Sequence, residues 1–370
     1  MSLQTTNAFT MGVEEEYQII DPQTRELSPT ADQVLPIAQA TLGDAAQYEM
    51  ILSQIEIATP ICHTLADVQA ELVRLRGGII AAAGQTRKLI AAAGTHPFSH
   101  WKEQTITPKE RYEELIETYQ QLIREQVIFG CHVHIGVPDR EIATLITNHA
   151  RLWLAPLIAL TANSPFWLGD ETGYQDYRTG LWWTVPLSGP PPSFSSYEHY
   201  RATLQELFDT HCIEDPTKIY WDLRLSERFA TIEFRAMDIC MTINEAVTIT
   251  GLVRALVRTC YDLVQRKAPY PAPSSDLLRA LHWRAARYGL NGTLVDVTTQ
   301  RLLPARQYIE EFLDFLRPAL ETEGDWQRVS QGVYTILKHG NGAMRQQAVY
   351  KRSGNLQAVV DYVIEETRRF

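Results

Sequence analysis

The residues best suited to chemistry fall in five short segments, each alternating polar and apolar positions. In VEEEYQII, Glu14, Glu16 and Gln18 alternate with Val13, Tyr17 and Ile19. In SQIEIATP, Gln54 and Glu56 alternate with Ser53, Ile55 and Ile57. His132 and His134 do the same in CHVHIGV, Asp222 and Arg224 in WDLRL, and Glu233 and Arg235 in ATIEFRAMD. A period of two is that of a β-strand, whose successive side chains point to opposite faces. Each segment therefore offers an apolar face to a core and a short ionisable row to the other side. An antiparallel sheet with one solvated face would also alternate, but such faces usually mix Lys, Thr, Ser and Glu. Lys is absent from all five rows.

Glu14 and Glu16 on one strand face repel each other by about 2.5 kcal/mol at ~6.5 Å and an effective dielectric near 20. A bound divalent cation reverses that sign. A donor set rich in carboxylates with one or two imidazoles suits Mg²⁺ or Mn²⁺ better than Zn²⁺, which prefers more His or Cys. Arg224 and Arg235 on the same face point to an anionic ligand bridged by metal. Phosphoryl transfer needs that pairing of cations and guanidinium groups. Glu15 falls on the apolar face and is expected either to pair with a basic side chain or to sit near a sheet edge.

The elements that position these rows are strand-like segments at 10–20, 46–58, 88–94, 127–137, 217–225 and 229–238. Helical stretches are expected near 65–85, 107–126, 139–161, 196–210, 244–266, 275–288, 304–321, 325–338 and 355–368. Thr107-Pro108-Lys109-Glu110 reads as an N-cap, a first-turn proline and a capping-box glutamate. Strands concentrate in the first two thirds and helices in the last, which implies an α+β fold. Gly189–Pro192 and Ala268–Ser275 are Pro-rich, yet no composition shift flanks either, so residues 1–370 are expected to form a single catalytic domain, with 1–8 disordered.

Across 370 residues the net charge is −10, which argues against a nucleic-acid binder. No run of 18 apolar residues appears, and the N-terminus lacks the regions of a signal peptide. Five cysteines without CxxC spacing point to reduced thiols and a cytoplasmic location, with no membrane partner.

MGVEEEYQIID, IEIATPICHT, AAGTHPF, GCHVHIGV, ANSPFWLGDETGYQDYRTGLW, GPPPSF, ATIEFRAMD, WRAARYGL and GNGAMRQQAVY occur in an order that resembles the carboxylate–amine ligases of the glutamate–cysteine ligase type 2 family. The resemblance runs from about Phe9 to the end. It implies a glutamine synthetase-like catalytic fold: a curved, mainly antiparallel sheet with a concave active-site face, bracketed by helices. It also implies that Glu14, Glu16, Glu56, His132 and Glu233 bind metal. His134, Arg224 and Arg235 would lie at the nucleotide phosphates, and the order of the two histidines could be reversed. Glu49 is a further carboxylate candidate, although seven residues before Glu56 it has the wrong parity for the same face unless a bulge or turn intervenes.

Asn163, Ser164 and Arg178 border the substrate in this comparison, with Arg178 and Arg235 as catalytic cations. Arg178 could hold a carboxylate by a bidentate contact or serve a local salt bridge. Arg284 and Arg287, one helical turn apart, could reach the substrate cleft or only pack against acidic neighbours. Gly340-Asn341-Gly342 could be an ordinary helix start, and His96 a structural histidine. The implied activity is ATP- and Mg²⁺- (or Mn²⁺-) dependent amide formation through an acyl phosphate, with glutamate and cysteine as substrates and a homodimer as the expected assembly. The alternatives are a ligase of the same fold acting on another carboxylate or amine, and a metal-dependent amidase.

Overall fold

The computed structural model describes residues 8–215 and 218–370. Its centre is a seven-stranded antiparallel sheet built from β1 (Met11–Ile20), β2 (Ala46–Tyr48), β3 (Gln54–Ala58), β4 (Leu89–Ala91), β5 (Gly130–Gly136), β6 (Leu223–Leu225) and β7 (Thr231–Asp238). The order is β6-β7-β5-β1-β3-β2, and β4 joins the last residues of β1. The four segments with the strongest alternation thus become neighbours, β7-β5-β1-β3, in the middle of the sheet.

The apolar face closes on the core. Val13, Tyr17, Ile19, Ile55, Ile57, Val133, Ile135, Ile232 and Phe234 are all buried there. Helices Leu65–Gln85 and Ile243–Gln265 belong to the same core. Each starts with a capping box, Thr64 with Asp67 and Thr242 with Glu245, which satisfies the free amides of its first turn. A register shift between Phe234 and Met237 marks a bulge in β7, the kind of irregularity that re-aims a side chain near a site.

Several expected elements divide. The expected strand 46–58 is a hairpin, β2 and β3, with its turn at Glu49–Ser53. The expected helix 139–161 breaks into Arg140–Ala150, a 3₁₀ turn at Arg151–Trp153 and Leu154–Thr161, because Pro156 lacks the amide that a continuous helix would need. The helix expected from Thr107 starts at Glu110 and kinks at Gln120, whose φ is +49°. The Thr107 hydroxyl bonds the Glu49 carbonyl instead of capping that helix.

Helix Ala31–Leu42, with Pro36 inside it, was not expected from the sequence, because an internal proline reads as a breaker. Of the expected strand 217–225, position 217 lies outside the described residues and the rest is Tyr220–Trp221 followed by β6. The expectation for residues 1–8 likewise falls outside the description, except for Ala8. All five cysteines are free, four of them buried. Among the described residues no helix is long and apolar enough to cross a membrane.

Candidate active site

Strand register assembles the polar face. Glu14 lies opposite His132 on β5 and Ala58 on β3, and Glu16 lies opposite Glu56. Glu233 on β7 pairs with His134 on one side and Arg224 on the other. The result is a continuous row from Arg224 through Glu233 and His134 to Glu14 and His132, then Glu16 and Glu56. Gln18 and Gln54 close the row at its far end by donating to the Ala93 and Ile128 carbonyls.

Two ligand groups stand out. One oxygen or nitrogen from each of Glu14, His134 and Glu233 lies within 4.8 Å of the others, a span that one hard cation could bridge. Glu14 Oε2 is 3.2 Å from His132 Nδ1, and Glu14 Oε1 is 3.3 Å from His134 Nε2. The second contact lacks hydrogen-bond geometry, which leaves His134 Nε2 a buried nitrogen without a hydrogen-bond partner. A buried unpaired acceptor or donor costs on the order of 1–3 kcal/mol, so an atom held this way is suited to a metal. The donor set fits a divalent cation. His134 rather than His132 joins this cluster, because the register sets it beside Glu233 while His132 is spent on Glu14.

The electrostatics separate the groups. Burial alone would raise Glu14, but His132 and His134 hold it well below the usual carboxylate range. Glu233 is likewise held low against burial by Arg235 and Arg224. Burial and the Arg235 charge lower His132 to about 4, so it is neutral near pH 7. His134 is raised despite burial by Glu14 and Glu233. Glu16 and Glu56 behave in the opposite way. Burial and the Glu49 charge push Glu16 up to about 7, and burial with Glu14, Glu49 and Glu16 pushes Glu56 well above its ordinary value. Arg178 and Arg235 offset this crowding of carboxylates only in part, which makes it a second place where divalent metal would relieve repulsion.

Arg224 Nε donates to Glu233 Oε2 at 2.8 Å, and Arg235 pairs with Glu233 Oε1. Arg235 Nε, although buried, has no hydrogen-bond partner among the described residues. On the Arg235 side the row opens into a cavity of about 110 Å³ lined by Glu16, Glu49, Arg111, Tyr112, Arg178 and Arg235, among others. Arg178 packs so closely on Gly130 that any larger side chain at that position would have to push its guanidinium aside. The Gly130 amide in turn donates to Glu16 Oε2 at 2.5 Å. Beyond Glu14 and His134 lies a second, mostly apolar cleft of about 480 Å³, with Ile61 and Phe229 at its lips.

Four expected substrate contacts sit elsewhere. Asn163 spends its amide on the Ala92 and Ile239 carbonyls and accepts from Gln346. The Ser164 hydroxyl donates to Asp238 Oδ2 at 2.7 Å and accepts from the Arg178 amide at 3.2 Å. Both are buried with their polar groups engaged inside the protein, and the Ser164 hydroxyl supports Arg178 from behind. Arg284 bonds the Thr293 carbonyl at 2.7 Å and stacks on Tyr288. Arg287 donates to the Gly173 carbonyl and lies over Tyr174 and Tyr288. The helix face that carries these arginines packs on that loop and on the hairpin after it. Among the described residues neither arginine has an acidic ion-pair partner.

Glu49 does reach the site. The hairpin turn resets parity, so Gln47 lies opposite Glu56 and Glu49, two residues on, falls on the Glu56 side. Its carboxylate accepts from the Tyr112 hydroxyl at 2.7 Å. Tyr112 and Arg111 carried no sequence signal, since they lie on a helix, and Phe229 stands just before the alternating run of β7. His96 is structural, with Nδ1 accepting from the Ser99 amide at 2.9 Å. Asn341 caps the helix Gly342–Ser353, an ordinary helix start.

The family model "Glutamate-cysteine ligase family 2 (GCS2)" matches residues 10–362. A protein of Herpetosiphon aurantiacus, provisionally named glutamate–cysteine ligase 2, is 41% identical over 359 residues, covering 97% of this chain and 93% of the relative. One of Solibacter usitatus with the same provisional name is 39% identical over 361 residues, covering 97% and 94%. Among solved structures, the glutamate–cysteine ligase of Francisella tularensis in complex with AMP aligns with a TM-score of 0.71 at 12% identity, over 99% of this chain and 90% of that one. The ligase PafA, solved in complex with the prokaryotic ubiquitin-like protein Pup, aligns at 0.53 and 10% identity, over 93% and 68%. At those identities the likeness shows the fold, which is glutamine synthetase-like. The chain belongs to glutamate–cysteine ligase family 2, and so to the ligases.

Proposed function

We propose that this protein joins a carboxylate to an amine at the expense of ATP, with glutamate and cysteine as the substrates. The observation that carries the reading is the cluster of Glu14, His134 and Glu233, flanked on one strand face by Arg224 and Arg235. The apolar cleft beyond Glu14 would take the nucleoside, and the polar cavity beside Arg235 the amino-acid substrates. Bound Mg²⁺ would supply charge neutralisation across the triphosphate.

The side chains serve this reaction as follows. A substrate carboxylate oxygen attacks the γ-phosphorus, the bond to the ADP oxygen breaks, and an acyl phosphate forms. The amine nitrogen then attacks the acyl carbon, phosphate leaves, and the nitrogen loses a proton. Arg235 spreads charge on the transferring group because its Nε is unspent and its other end is anchored to Glu233. Arg178 and Arg111 are the cations available to a substrate carboxylate, and Glu49 and Glu16 the anions available to an ammonium group. The enclosed walls keep water from the acyl phosphate.

Phosphate release from ATP and Mg²⁺ should require both glutamate and cysteine. Glu14→Gln and Glu233→Gln should each lower the rate by at least about a hundredfold with the circular dichroism spectrum unchanged. Stimulation by a different carboxylate–amine pair would reassign the substrates. No stimulation by any pair across a broad screen would end the ligase reading for this chain.

A further inference from the structure

The apolar cleft beyond Glu14 and His134 is unlike the rest of the polar face. Met11, Val13, Ala58, Pro60, Ile61, Pro138, Phe229 and Ala230 dominate its walls. Its volume of about 480 Å³ is in the range of a small-ligand site. The two lips are conspicuously open, Ile61 at 65% and Phe229 at 58% exposure, although both are large apolar side chains. Phe229 is held from behind, where its carbonyl accepts from Arg140 at 3.0 Å and its ring meets His134 edge-on.

Many of the main-chain hydrogen-bonding groups along these walls are already engaged. Met11 exchanges amide and carbonyl bonds with Cys62, the Thr59 amide donates to the Val13 carbonyl, and the Val137 amide donates to the Ala230 carbonyl. The Gly136 amide donates to the Thr10 carbonyl. The Thr59 hydroxyl accepts from the Val13 amide, and the Thr231 hydroxyl is 3.1 Å from His134 Nδ1. Pro60 and Pro138 have no amide hydrogen to offer. Most of what remains is apolar side-chain surface, with the ionic groups at the inner end, where Glu14 and His134 stand.

From this we infer that the cleft grips a nucleobase by its faces and does not read its edge, so that the protein accepts purine nucleoside triphosphates with little regard to which purine they carry. The inference rests on the nucleotide reading above. A site that hydrogen-bonds a base edge rejects an analogue with the wrong pattern by leaving buried groups unpaired. A stacking site has no such groups, and every base presents a π-face. A purine covers more of the Ile61–Phe229 gap than a pyrimidine, so discrimination should follow ring size.

Displacement of ribose-labelled fluorescent ATP from the Mg²⁺-loaded protein tests this without any need for turnover. ATP and GTP should compete with dissociation constants within about fivefold of each other, and UTP should compete more weakly than both. Phe229→Ala should weaken ATP and GTP together by about tenfold, equivalent to about 1.4 kcal/mol. Phe229→Trp should restore binding of both. GTP at least a hundredfold weaker than ATP would overturn base indifference while leaving the nucleotide reading intact. Failure of labelled ATP to bind at all would overturn both. Nucleotide binding without phosphate release on any substrate pair would instead locate the failure in the ligase reading alone.

Discussion

Strand β1 carries three consecutive glutamates that meet two opposite fates. Glu15, on the core face, is fully buried, yet its charge is matched. Arg76 Nη2 donates to it at 2.8 Å, Arg76 Nε donates to the Tyr17 hydroxyl at 2.7 Å, and the Tyr17 hydroxyl donates to Glu15. The remaining Arg76 donors reach the Met241 and Cys240 carbonyls. Glu14 and Glu16, one residue to either side, face other acids, imidazoles and atoms without partners. The satisfied cluster ties β1 to helix Leu65–Gln85 and to the segment that follows β7. The other leaves His134 Nε2 and Arg235 Nε without hydrogen-bond partners among the described residues. Glu15 and Glu16 are both buried, so burial alone does not separate the two faces; the difference lies in how completely the polar groups are paired.

The largest effect should come from breaking the satisfied side. Arg76→Met leaves Glu15 buried without its cation and should cost about 3–5 kcal/mol in denaturant unfolding. A cost below about 1 kcal/mol would mean that the cluster is not what fixes β1.

The unsatisfied side should respond to pH with the opposite sign. Glu16 is pushed to about 7 from an ordinary 4.5, so the folded state binds its proton more tightly than the unfolded state does. Its contribution is fully present below about pH 4.5 and is lost as pH rises through about 7. Without divalent cations, wild type should therefore lose about 3 kcal/mol relative to Glu16→Gln across that window. Comparison with the variant matters, because His132, lowered to about 4, contributes the reverse slope between about 4 and 6.5. A pH-independent difference would show that Glu16 is not strained by its neighbours. Added Mg²⁺ should shrink the loss.

The smallest effect should come from an arginine outside both clusters. Arg284→Met removes bonds to Thr293 and should cost about 1 kcal/mol of stability, with kcat/KM within about twofold of wild type. A hundredfold loss of kcat/KM would return Arg284 to the substrate cleft.

Much of this site could be read from the chain because strands report their faces. Glu14, Glu16, Glu56, His132, His134, Arg224, Glu233 and Arg235 were found by alternation, and the register brought them together as that pattern requires. The fold class followed from the same rows and from the family motifs. Alternation says nothing about turns, helices and the segments that cross a face. That is why Glu49, delivered by a hairpin, and Tyr112, Arg111 and Phe229 needed the structure.

The same reason explains why Asn163, Ser164, Arg284 and Arg287 were assigned to the cleft from their motifs but stand elsewhere. A helix or loop residue is aimed by whatever its element packs on, and that packing is set by residues tens or hundreds of positions away. By itself the sequence determined which strand face carries the charges and which kinds of ligand they suit, since a two-residue period is local. Only the tertiary structure decided which charges are neutralised, as Glu15 is by Arg76 across 61 positions of chain, and which are left for a ligand. Pairing inside a protein is a property of long-range contacts.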